Sequence, residues 1–239
     1  MKNTLSVCLL AVTLVSPATL FAQSTGQGGA SAKELQKGIS VELPLSRTAS
    51  LMPEADNPDA WIVSVTNDGR IYFGVERATS AGLLQKMESR PRNRDQKLYI
   101  KADMRTPFRN LQGVLRDARA VYFQTVVFLT AQADVADTGV PVSPKGLEIA
   151  IRNLITRREP AVVVTLVRSE DGSTRVRVNN RDTDRDNLTS TLSESLNDEK
   201  NEKDATILVS ADLRLPFSEV AQVIDACRSI PVKTVLLVP

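Results

Sequence analysis

The sequence predicts an α+β fold of two tandem small domains, each a mixed β-sheet with helices packed on it. Three observations carry that expectation. The phrase KADMRTPF, Lys101–Phe108, returns as SADLRLPF, Ser210–Phe217, with Ala102/Ala211, Asp103/Asp212, Arg105/Arg214, Pro107/Pro216 and Phe108/Phe217 in one register. Beyond it, Phe108, Leu111, Val114, Leu115 and Ala118 correspond position for position to Phe217, Val220, Val223, Ile224 and Cys227. That spacing places each set on one face of an α-helix. Finally, 239 residues at 42% hydrophobic content suffice for two small cores.

Taken in order, MKNTLSVCLLAVTLVSPATLFAQS sets Lys2 before an uncharged apolar run that ends at Phe21-Ala22-Gln23. This is the pattern of a secretory signal over residues 1–22, cleaved near Ala22; an uncleaved membrane anchor is the alternative. Gln23–Gly38, rich in Gly, Ser and Gln, reads as a flexible leader. A first domain spans 39–130. In it Ile39–Leu45 is expected as an edge strand ended by Pro44, and Trp61–Thr66 and Arg70–Gly74 as a hairpin turning at Asn67-Asp68-Gly69. Ser80 is placed to cap a helix carrying Leu83, Leu84 and Met87. The apolar segment Leu98–Ala102, the repeated turn, a helix and Thr125–Thr130 then close the domain as strand, turn, helix, strand.

Residues 131–146 read as a partly extended linker with two prolines. A second domain at 147–239 is expected to open with an added helix through Leu147, Ile151, Leu154 and Ile155. A second hairpin follows, Ala161–Arg168 and Thr174–Val178 about Glu170-Asp171-Gly172, then a Leu188/Leu192/Leu196 helix and the solvated loop NDEKNEKD. Thr206–Ala211, the second turn, its helix and Thr234–Val238 repeat the first ending. Each proline, Pro107 and Pro216, is expected just inside a helix start, where its missing N–H has no intrahelical role.

The chain has no histidine, which excludes the usual imidazole-dependent nucleophile systems and histidine metal sites. Export leaves Cys227 as the single thiol, so the mature chain forms no internal disulfide, and Cys227 reads as a small core residue. Cys8 follows Val7 early in the apolar run and does not suit lipid attachment. No Walker or Rossmann glycine pattern is present. A formal charge of +2 gives no basis for nucleic-acid binding, although the first half is net positive and the second net negative. No cofactor, metal or catalytic constellation is expected. Asp103 and Asp212 read as turn-fixing acceptors of main-chain N–H bonds, and Pro107 and Pro216 as structural. Arg105 and Arg214 either pair with the neighbouring aspartates or meet a partner's carboxylate.

ISVELP, the hairpin VSVTNDGRIYF, the short Leu-rich helix and YIKADMRTPFRNLQGVLRDA with its closing strand together resemble the periplasmic domain of ExbD/TolR biopolymer-transport proteins. The resemblance covers about Ile39–Thr130 and, more weakly, Val140–Pro239. It implies a non-catalytic envelope module that binds a TonB- or TolA-like partner, membrane-bound relatives or peptidoglycan. It also implies periplasmic location, or inner-membrane association through an uncleaved N-terminal segment. The family's membrane helix carries an acidic residue for proton passage, whereas Leu5–Ala22 has no Asp or Glu. The glycine often found before the last strand is likewise replaced, by Phe123-Gln124 and Val232-Lys233. A second reading is a periplasmic small-molecule or glycan binder using a cleft between the domains, with Arg105, Arg214 and Trp61 in attendance.

Overall fold

The computed structural model describes residues 37–93, 95–131, 142–151, 161–197 and 205–238. Residues 1–22, expected as a signal or anchor, nearly all of the expected leader, most of the expected linker, Leu154 and Ile155, and the stretch beyond Asn197 lie outside them. The described residues belong to one compact unit, 32–239.

The elements follow the apolar patterning. The first half contains β1 (Ser50–Leu51), a 3-10 turn (Pro53–Asp56), β2 (Trp61–Val65), β3 (Ile71–Phe73), β4 (Glu76–Ala78) and α1 (Gly82–Glu88). It continues through β5 (Leu98–Ala102), α2 (Arg109–Ala120) and β6 (Thr125–Thr130). After β7 (Lys145–Ala150) come β8 (Ala161–Arg168), β9 (Thr174–Val178), β10 (Arg181–Thr183) and α3 (Leu188–Asn197). The chain then forms β11 (Thr206–Ala211), α4 (Phe217–Arg228) and β12 (Thr234–Val238).

All the strands join one 12-stranded sheet in the order β10-β9-β8-β11-β12-β7-β6-β5-β2-β3-β4, with β1 paired to β7. The order reads the same from either end about β7. Registers agree as well: Ser64 pairs with Lys101 across β2 and β5, and Thr165 with Ser210 across β8 and β11. Strand β7 runs antiparallel to β6 and parallel to β12, so the two halves have opposite strand directions.

Period-two alternation divides the side chains of the sheet between two layers. Trp61, Val63, Ile100, Phe128, Val164, Val209 and Leu237 share a core with the buried faces of all four helices. Each large side chain buried there contributes about 1.5–3 kcal/mol. Ile62, Tyr99, Val127 and Leu129 point the other way and are covered by Leu43, Met52 and Ala55. The segment through 39–56 is therefore a strap across the back of the first half. Its middle reaches the second half, where the Asp225 carboxylate on α4 accepts the N–H groups of Arg47 and Thr48, each at 2.9 Å.

Several expectations are corrected. Leu147 lies in β7, not in a helix, because Leu147 and Ile149 alternate with Gly146 and Glu148 and fill the slot between β6 and β12. The linker accordingly ends before Lys145. Ile39–Leu45 forms no ladder beyond a bridge from Leu45 to Ala131, since its main chain is held mostly by individual groups of the sheet and turn. Ser80 does not cap α1: Ala81 stands at the N-cap, and it is the Thr79 hydroxyl in the preceding turn that accepts the Gly82 N–H, at 2.9 Å. Pro107 and Pro216 stand just before the helices, and their carbonyls accept the N–H groups of Asn110 and Glu219 to start the first turn.

Candidate functional site

The two copies of the repeated phrase meet each other. Each copy leaves its strand with the same bond: the Asp103 N–H donates to Val65 O and the Asp212 N–H to Leu166 O, both at 2.9 Å. The turns then interlock. Phe108 N–H donates to Leu215 O and Phe217 N–H to Thr106 O, both at 2.8 Å. Arg109 N–H donates to Leu213 O at 2.9 Å, and Ser218 N–H to Met104 O at 2.8 Å. Pro107 and Pro216 face each other as an antiparallel bridge. These four bonds exchange equivalent donors and acceptors, as a twofold interface does. They close the seam here, so no ligand cleft separates the two turns.

Within each turn the aspartate binds its own arginine. Asp103 accepts the Arg105 main-chain N–H at 3.1 Å and Arg105 Nε at 3.0 Å on Oδ1, and Arg105 Nη2 at 3.2 Å on Oδ2. Asp212 repeats this with Arg214 at 2.9, 3.0 and 2.6 Å. Burial pushes the Asp103 carboxyl up, but the bonds from Arg105 and from the Glu42 N–H outweigh it and hold it below the usual carboxylate range. Hydrogen bonding by Arg214 holds Asp212 well below that range. Both carboxylates are ionised acceptors, and neither is poised to move a proton near neutrality. Both guanidinium groups remain exposed at the surface.

Glu42 is a further neighbour of this turn. Its carbonyl accepts the Met104 N–H at 2.7 Å, and its carboxylate lies 3.2 Å from Arg105 Nη2. The only signal in the sequence is an acidic residue inside the apolar ISVELPL. Trp61 belongs to the core, edge-on to Phe73 and Phe123 at 5.4 and 5.7 Å, with Arg90 over its ring at 5.1 Å. Cys227 is buried, which pushes its thiol up to about 12.

Among the described residues no group of three or more Cys, Asp or Glu side chains is placed to hold a metal ion, and no helix is long and apolar enough to cross a membrane. Fold and site thus define an α+β protein built around two interlocked strand-turn-helix units. Residues 30–133 match the family described as biopolymer transport protein ExbD/TolR. The match takes in β1 to β6 and stops short of β7. No curated protein and no solved structure matches the chain.

Proposed function

We propose that the chain is a non-catalytic scaffold of the cell envelope, made of two tandem ExbD/TolR-type modules that pair with each other. The observation that carries this reading is the reciprocal set of bonds between the two Asp-x-Arg-x-Pro turns, joined to a family match that covers one of them. The second module, from β8 to β12, follows the strand order and helix placement of the first. A covalent pair keeps the partner module at high effective concentration. The scaffold works in the periplasm, exported by residues 1–22 or held at the inner membrane by them. It has no proton-carrying group of its own in Leu5–Ala22, where Asp and Glu are absent. It binds a TonB- or TolA-like periplasmic domain, a membrane-bound relative or peptidoglycan, with Arg105 and Arg214 as exposed contact groups.

The test is co-sedimentation of the purified chain with peptidoglycan, together with pull-down by TonB- and TolA-like periplasmic domains and by membrane-bound relatives. Binding to one of them, weakened by Arg105→Ala or Arg214→Ala, is expected. No binding to any would refute the scaffold reading.

A further inference from the structure

In the first half, the groove over β2, β5 and the Asp103 turn is filled by the chain itself. Ser64 Oγ accepts the Ile39 N–H at 3.3 Å, and Lys101 Nζ donates to Lys37 O at 3.2 Å. Asp103 Oδ2 accepts the Glu42 N–H at 3.4 Å, the Met104 N–H donates to Glu42 O at 2.7 Å, and Arg105 pairs with the Glu42 carboxylate at 3.2 Å. An extended segment thus meets one residue after another along the groove.

Among the described residues, the second half has the same groove with no such segment in it. Thr165, Ser210, Asp212, Leu213 and Arg214 stand where Ser64, Lys101, Asp103, Met104 and Arg105 stand in the first, as the matching registers require. Together they line an open groove of about 550 Å³. Exposure differs between the halves as well: Ile62 is 2% exposed, and its equivalent Val163, beside the groove, is 38%. Leu213 is also 38% exposed, and among the described residues no main-chain carbonyl accepts its N–H. Arg214 is already turned as Arg105 is, clamped on its aspartate, and among the described residues no glutamate pairs with it.

We infer that this groove is a docking site for an extended peptide of another polypeptide with the chemistry of Val41–Pro44, that is apolar, acidic, apolar, proline. The Leu213 N–H meets a main-chain carbonyl of the peptide, and Arg214 meets its carboxylate. The apolar residues cover Val163 and Leu213, an extended mode in which main-chain bonds give affinity and alternate side chains give selectivity. The acidic residue supplies charge complementarity and fixes register.

The inference rests on the equivalence of the two halves assumed above, and not on the identity of any envelope partner. The probe is a synthetic peptide GISVELPL, titrated by fluorescence anisotropy into the full chain. Saturable binding is expected, weakened by about tenfold or more by Arg214→Glu, by Leu213→Asp, or by lysine in place of the peptide's glutamate. Arg214→Glu together with the lysine peptide is expected to regain much of the loss, which a misfolded variant cannot imitate. Absence of binding up to millimolar peptide overturns the inference. So does a loss caused by Arg105→Glu and not by Arg214→Glu, which places the peptide in the first groove. Self-association that Leu213→Asp abolishes and the peptide does not compete with overturns it in favour of a second copy of the chain. Failure to bind any envelope partner, with peptide binding intact, defeats the scaffold reading alone.

Discussion

The ring of Phe217, first residue of α4, lies 4.9 Å from the ring of Phe128 in β6, so the second helix begins by packing on a strand of the first half. Phe108, its counterpart, is equally buried and stands at the N-cap of α2. Phe108→Ala and Phe217→Ala are each expected to cost about 3–5 kcal/mol in denaturant unfolding. Single-step unfolding that both variants shift together is the expected form of the transition, because one core cluster contains both rings. Separate transitions, each moved by one variant only, contradict the shared core.

Asp225 ties the strap to α4 by accepting Ser46 Oγ at 2.5 Å, Thr48 Oγ1 at 2.6 Å and two main-chain N–H groups. Removing a charged acceptor of this kind by Asp225→Ala is expected to destabilise by about 1.5–3 kcal/mol. Amide hydrogen exchange is expected to rise first at Arg47 and Thr48. Unchanged protection there removes the strap's dependence on this carboxylate.

Acid should weaken the fold through the same groups. Burial raises the Asp225 carboxyl, but the bonds from Arg47, Ser46 and Thr48 prevail and leave it below its ordinary value of 3.8; Asp103 and Asp212 are also lowered. A carboxylate lowered in the folded state adds stability that is present above the unfolded value and lost as pH falls through the folded one. Stability is therefore expected to fall as pH drops below about 4. Asp225→Asn should flatten that decline in melts taken across the acid range, and an unchanged slope counts against this account.

Two glycines give opposite expectations. Gly146 in β7 has no room, because a Cβ there meets Val127 Cγ1 and comes within 3.0 Å of Phe128 O. Gly113 in α2 has open space about it. Gly146→Ala is expected to destabilise by about 1–3 kcal/mol, and Gly113→Ala to stabilise by about 0.4–1 kcal/mol. Thermal melts of the two variants distinguish a tightly packed β7 from a tolerant one.

Much of this architecture is readable from residues. The stripes from Phe108 to Ala118 and from Phe217 to Cys227 are helical because their spacing is, and both are buried. The hairpins were marked by Gly69 and Gly172, whose φ values of 80° and 83° suit glycine. Strand β7 was not legible: Leu147 and Ile151 fit a helical spacing as well as Leu147 and Ile149 fit a strand, and so short a run does not decide between them. Strands β4 and β10 are short, mostly polar edges with no periodicity to detect; the turn signals near them are Gly74 before β4 and Asn179-Asn180 before β10, all at positive φ. The candidate site was half legible. Asp103, Arg105 and their counterparts were found by repetition, but their interlocking uses main-chain atoms that any side chain would leave in place. Glu42 could be assigned only once the strap was seen on its turn.

Asp225, which holds the strap, has Arg116 at the equivalent position of α2. Two identical chains around an axis inherit every substitution twice, and a change that helps one side is imposed on the other. A pair written in one polypeptide escapes that symmetry of inheritance. Opposite charges can settle at matching helix positions, so one flank can be anchored while the other is left to vary for its surroundings.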